Sequence, residues 1–260
     1  MRISRTLANT CLILGMLFQA DCVRGPDPKQ VKMAQIEYDL GVENLRAGKI
    51  REALASFLKA EKLHPDFAEL QHSLGLCYYF LGRYDDAVKH FDRALELKPS
   101  YSVVYNEKAR VYLDQGLYRL AVPLLEKALE DVFLRNRFIA EANLGWAYFK
   151  LGKKEKGYRL LKNALAQNDK YCIGYHYLGL MYREDKDLER AEENLKKVGE
   201  LCPALLQAWF DLAKVQTLRG KLGEACSSLK RCFEPSKMTP LGERCWDLYR
   251  STCEQSPEKG

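Results

Sequence analysis

Nine cysteines and four histidines carry most of the chemistry this chain could offer. Thiolates and imidazoles can hold zinc, but no Cys-x-x-Cys pair and no Cys/His group at ligand spacing occurs, so no metal is expected. His64, His72, His90 and His176 stand in separate stretches, without a paired nucleophile at useful spacing. There is no phosphate-cradling glycine loop and no dense acidic pair suited to hydrolysis. The expectation is therefore a binding or assembly module with no catalytic residues and no cofactor. What remains to the thiols is cross-linking. Cys202, Cys226, Cys232, Cys245 and Cys253 crowd the end of the sequence, which suits disulfides in an oxidising compartment.

The elements that carry these residues are helical and repeated. In Ala68–Tyr101, Leu74, Gly75 and Tyr78 recur at helical spacing, and after Leu81-Gly82-Arg83 so do Ala87, Phe91 and Ala94. Pro99 stops the second helix. Such a helix pair cannot bury its apolar stripe alone and needs neighbours of its own kind. The same 34-residue unit begins at Ala34, Ala68, Ser102 (with two extra residues), Phe138, Cys172 and Leu206. Its eighth position holds Gly41, Gly75, Ala109, Gly145, Gly179 and Ala213. Its twentieth holds Ala53, Ala87, Ala121, Gly157, Ala191 and Ala225. Its twenty-seventh holds Ala60, Ala94, Ala128, Ala164, Val198 and Cys232. Small residues at these places let paired helices approach closely. The third unit departs most, with Lys108 where leucine is usual and a longer connection over Val132–Arg137.

With this period and these small positions, residues 34–235 resemble the tetratricopeptide repeat (TPR) family. The resemblance implies an all-α fold: a right-handed α-solenoid of six helix pairs, closed over 236–260 by a capping helix and tail. Thr239 offers an N-cap, Pro240 the first helical position, and Leu241–Glu254 one more helix with Trp246, Leu248 and Tyr249 over the open end. If that helix runs antiparallel to the second helix of the sixth unit, Cys226 pairs with Cys253 and Cys232 with Cys245; the alternative is buried free thiols. Cys77 and Cys172 read as packing residues, and Cys202 has no evident partner.

In TPR architecture the first helix of each repeat lines the concave face, through positions 2, 5, 9, 12 and 13. Those positions hold Tyr38, His72, Leu76, Tyr79, Phe80, Trp146, Phe149, His176, Leu180 and Phe210, along with Val42 and Leu45. Large apolar residues there imply a partner groove, centred on Leu76, Tyr79, Phe80, Trp146 and Phe149. Domains that clamp a C-terminal carboxylate carry Lys or Arg at position 5 and Asn at position 9 of the first repeat. Here those places hold Tyr38 and Val42, so an apolar segment fits better than an acidic tail.

The N-terminus speaks to location. Arg2 and Arg5 precede an apolar stretch, Leu7–Phe18, with the proportions of a signal peptide over 1–21. Cys22 at its end resembles the lipid acceptor of bacterial lipoproteins, although Gln19 and Asp21 depart from the usual residues before it. The alternative is secretion after cleavage near Ala20. Residues 22–33, with Pro26 and Pro28, read as a short tether. The charge balance, 41 basic against 35 acidic residues with no run of five like charges, points to no nucleic-acid partner.

Signal, Cys22, tether, six repeats and cap together resemble the outer-membrane lipoprotein pilotins of type IV pilus systems. That resemblance implies a lipid-anchored, periplasm-facing protein that binds a secretin subunit and promotes its localisation and multimer assembly. The alternative is another cell-envelope scaffold, an adaptor for peptidoglycan enzymes or for outer-membrane protein assembly.

Overall fold

The computed structural model describes residues 27–254. The signal segment, Cys22 and the tail 255–260 lie outside the described residues. Twelve helices form six antiparallel pairs: α1 (Pro28–Arg46) with α2 (Ile50–Leu63), α3 (Ala68–Phe80) with α4 (Tyr84–Leu97), α5 (Ser102–Asp114) with α6 (Tyr118–Glu130), α7 (Arg137–Lys150) with α8 (Lys154–Gln167), α9 (Cys172–Glu184) with α10 (Leu188–Leu201), and α11 (Leu206–Leu218) with α12 (Leu222–Phe233). A thirteenth helix, α13 (Pro240–Tyr249), follows a 3-10 turn and closes the array. The described residues contain no strand, and no helix long and apolar enough to cross a membrane.

The pairing follows from the small positions. All eighteen residues at repeat positions 8, 20 and 27 are buried. Position 24 supplies the bulk between them: Phe57, Phe91, Leu125, Leu161, Leu195 and Leu229 are all at most 1 % exposed. At Gly75 the fit is tight enough that an added Cβ would stand 2.5 Å from the Phe91 ring. Each helix pair turns through a left-handed residue at position 15, glycine in five repeats and Lys186 (φ 62°) in the fifth.

Successive first helices pack against one another, α1 on α3, α3 on α5, α5 on α7, α7 on α9 and α9 on α11, whereas successive second helices do not approach as closely. The sheet of first helices is therefore the concave side.

Two boundaries differ from the sequence reading. The tether expected over 22–33 is helical from Pro28, because the Asp27 carboxylate accepts the Lys29 amide at 3.0 Å and Pro28 presets the first turn. At the other end Thr239 caps α13 through the Gly242 amide at 3.1 Å, but the helix stops at Tyr249 and continues as a π-helical turn, Arg250–Glu254. Leu241, Leu248 and Tyr249 pack on the core of the last repeats, and Trp246 stays 39 % exposed beside Phe233.

The disulfides Cys226–Cys253 and Cys232–Cys245 staple this cap to α12, in the expected pairing. A third, Cys172–Cys202, corrects the sequence reading, which left Cys172 as packing and Cys202 unpaired. The physical reason is the return of the helical hairpin, which sets the first residue of a repeat beside the end of its second helix. Ser102, the first residue of its repeat, likewise donates to Asp131 at 2.7 Å. Cys77 is a buried free thiol whose pKa burial raises to about 12, so it is inert at neutral pH.

Candidate functional site

The concave face of repeats 2 to 5 is organised around Arg110, at position 9 of α5. Its guanidinium lies 4.2 Å over the Tyr79 ring and 5.9 Å over that of Phe80. The Tyr79 hydroxyl donates to Asp114 at 2.6 Å, one turn further along α5. Glu107, three residues before Arg110, holds a carboxylate oxygen 3.1 Å from its Nη1. The α5 helix thus places Glu107, Arg110 and Asp114 in a column at helical spacing.

Nε of Arg110 and Nε2 of His72 are buried without a hydrogen-bond partner, and Oε2 of Glu107 has only the Arg110 ion pair. Glu107 feels the cost directly, since burial raises its pKa and outweighs the attraction of Arg110. Burial likewise lowers the His72 pKa to about 4, with the Arg110 charge adding to the effect, so its imidazole is neutral. Tyr101 packs edge-on to His72 at 5.4 Å, and burial raises the Tyr171 phenol to about 12.

Beyond Arg110 the wall becomes a polar and aromatic ladder. Asn143 donates to Asn106 at 3.0 Å, and Tyr177 donates to Asn143 at 3.3 Å. Trp146 lies parallel to Tyr177, with centroids 5.2 Å apart, and Tyr118 meets Trp146 edge-on. Half-buried charged and polar side chains beside stacked rings suit an extended peptide, whose backbone supplies both amide and carbonyl groups and whose side chains supply apolar surface.

The expected groove residues divide accordingly. His72, Tyr79 and Phe80 gather around Arg110, with Phe80 54 % exposed. Leu76, Trp146 and Leu180 are half-buried. Tyr38 is half-buried against Phe57 and Phe67 in the first repeat.

Three residues expected to face solvent are instead inside. Phe149 is 3 % exposed, because α7 and α8 meet at Gly145 and Gly157, drawing its side chain onto Gly157 and under Tyr158. His176 is buried beneath α11, its Nε2 3.0 Å from Asp211, which also accepts from Arg183 at 3.0 Å. Phe210 is 7 % exposed, with the Arg244 guanidinium of the capping helix 4.7 Å above its ring. The expected apolar lining is corrected as well: Asn106, Glu107, Arg110 and Asp114 make the middle of the groove polar. Asn106, Arg110 and Asp114 occupy concave positions 5, 9 and 13 of the third repeat, so their placement was readable once polar residues were weighed beside apolar ones.

A sequence model of the tetratricopeptide repeat matches residues 38–102 and 106–170, together half of the chain. The chain belongs to the TPR family. No curated protein sequence matches it significantly. Among solved structures, this TPR chain is similar to PilW, described as a widely conserved type IV pilus biogenesis factor, with 20 % identity, a TM-score of 0.68, and coverage of 82 % of this chain and 98 % of PilW. It is similar to Pseudomonas aeruginosa PilF at 14 % identity and a TM-score of 0.62, covering 85 % and 99 % of the two chains. It is also similar to a chain of the Cut9–Hcn1 complex of the APC/C, at 20 % identity and a TM-score of 0.73, covering 85 % of this chain but 43 % of that one. At these identities the likenesses establish the TPR fold.

Proposed function

We propose that this TPR protein is a lipid-anchored scaffold of the bacterial outer membrane that holds an extended segment of a secretin subunit in its concave groove and promotes secretin multimer assembly for type IV pili. The observation that carries the reading is the cluster on the concave wall in which the Arg110 guanidinium covers Tyr79 beside Phe80, itself 54 % exposed. A peptide laid over this cluster covers the exposed Phe80 ring and meets charged and apolar surface together. The pilus assignment draws support from the structural likeness, which spans nearly the whole of PilW and PilF. Three disulfides suit an oxidising compartment such as the periplasm. Cys22 is the proposed lipid acceptor. With α1 starting at Pro28, the chain from Cys22 to Asp27 reaches at most about 18 Å, which would hold the solenoid against the bilayer.

The test is Glu107→Gln combined with Arg110→Gln, which keeps the shape of Glu107, shortens Arg110 and removes both charges. The variant should melt near the wild type, remain at the membrane, and fail both to pull down secretin and to support heat-resistant secretin multimers. Normal multimers from a folded variant would remove the groove from the mechanism. Cys22→Ser should separately release a folded protein from the membrane fraction, since stable attachment needs the acyl chains.

A further inference from the structure

At 19 residues, α1 is the longest helix described, and one side of it is uncovered. Met33, Ile36 and Leu40 are 45, 53 and 45 % exposed. Ile36 and Leu40 occupy the third and seventh positions of their repeat. At the same positions Leu70 and Leu74 are fully buried, and Leu144, Leu178 and Leu212 are at most 6 % exposed. The second helix of the preceding repeat packs on those later first helices, as α2 does on α3 and α10 on α11. Among the described residues nothing does this for α1. Its stripe has the composition of a repeat–repeat interface without the second half.

The charges on the same side indicate what fits. At about 100° per residue, Lys29, Lys32, Asp39 and Glu43 share an arc of roughly 120° with the three apolar residues. All four are exposed. The lysines lie in the N-terminal half of the helix and the acids in the C-terminal half. Two copies of α1 laid antiparallel bring the lysines of each against the acids of the other, while Met33, Ile36 and Leu40 meet in the middle. A parallel arrangement sets like charges together. At the opposite end of the described residues, α13 and its two disulfides cover α12.

We propose that this face of α1 is a self-association surface through which two copies of the chain pair about a two-fold axis. The interface is isologous, so one helix supplies both halves. A single helix pair is small for a stable dimer, so association depends on protein concentration.

Sedimentation of the purified full chain, at concentrations rising into the high-micromolar range, reads this out. The expected result is a shift from 29.9 kDa towards twice that mass, abolished by Ile36→Glu with an unchanged melting curve. Charge reversal makes the test specific. Lys29→Glu with Lys32→Glu gives one variant, and Asp39→Lys with Glu43→Lys another. Acids near a helix start and lysines near its end suit the helix dipole, so neither change works against α1 itself. Each variant alone should be monomeric, and an equimolar mixture should form the heterodimer. A wild type that stays monomeric throughout overturns the proposal. So does a mixture that fails to associate, or a dimer that survives Ile36→Glu, which would assign pairing to another surface such as residues 1–26.

Discussion

Trp146 of α7 lies flat against Tyr177 of α9, with ring planes 2° apart and centroids 5.2 Å apart. The contact joins the fourth repeat to the fifth at the wall of the groove, beside the hydrogen bond from Tyr177 to Asn143. Parallel rings at that separation are offset, the arrangement their quadrupoles favour. Trp146 therefore holds two repeats together as well as facing the groove. Trp146→Ala should cost about 2–4 kcal/mol, close to a core truncation. Denaturant unfolding would check this, and a loss under about 1 kcal/mol would mean that the stack contributes little to repeat docking.

Lys186 makes the only inter-helix turn among the six in which a side chain occupies the left-handed position. Glycine adopts that conformation without the Cβ clash, at the cost of a more flexible unfolded chain. Lys186→Gly should stabilise the protein by about 0.5–1 kcal/mol, visible as a higher melting temperature. A fall in melting temperature would show that the lysine side chain contributes contacts beyond the turn.

The Cys172–Cys202 bridge closes a 30-residue separation around the fifth repeat. Restricting the unfolded chain to that loop is worth about 3–4 kcal/mol in the loop-entropy account. Replacing both cysteines by serine should lower stability by that order while leaving the other two bridges intact. Non-reducing peptide mapping, paired with thermal melts, would check both the pairing and the loss.

Glu192 is 2 % exposed and receives Lys221 at 3.1 Å and Lys196 at 2.7 Å, with Arg219 completing the cluster. Burial raises its pKa, but the ion pairs outweigh it and hold the carboxyl down at about 2, against 4.5 ordinarily. The folded value lies below the unfolded one, so the carboxylate stabilises fully above about pH 4.5 and loses that contribution as pH falls towards 2, roughly 3 kcal/mol in all. Glu192→Gln should weaken the fold at pH 7 and flatten the dependence of stability on pH between 5 and 2. A parallel acid titration of variant and wild type would rule out this linkage.

Much of the fold was legible because close helix packing demands small residues at fixed places. Gly75 and Ala87 announce their neighbours by their size alone, and an antiparallel closing helix is enough to pair Cys226 with Cys253. Cys172 and Cys202 escaped because their proximity comes from the hairpin's return, a geometry that periodicity along one helix does not display. In the groove, Tyr79 and Phe80 were found by their apolar surface. Arg110 holds a concave position and was as legible as Tyr79, but a charge on a helix usually signals a solvated face; Glu107 holds no concave position, and only the neighbouring helices show that it is covered. Phe149 and Phe210 were misplaced for the complementary reason. A glycine contact between α7 and α8 buries one, and the capping helix covers the other.

The placement of the covalent bridges gives the molecule a mechanical direction. The three disulfides among the described residues fall after residue 171, and the four helix pairs before that point are held by non-covalent contacts alone. Under tension applied at its two ends, the first four repeats can be drawn out to the full length of their backbone. Between Cys172 and Cys202, and between Cys226 and Cys253, the load passes through sulfur, and the enclosed residues add nothing to the extension. An anchor near the N-terminus would therefore pull on the compliant end, leaving the far end as the inextensible one.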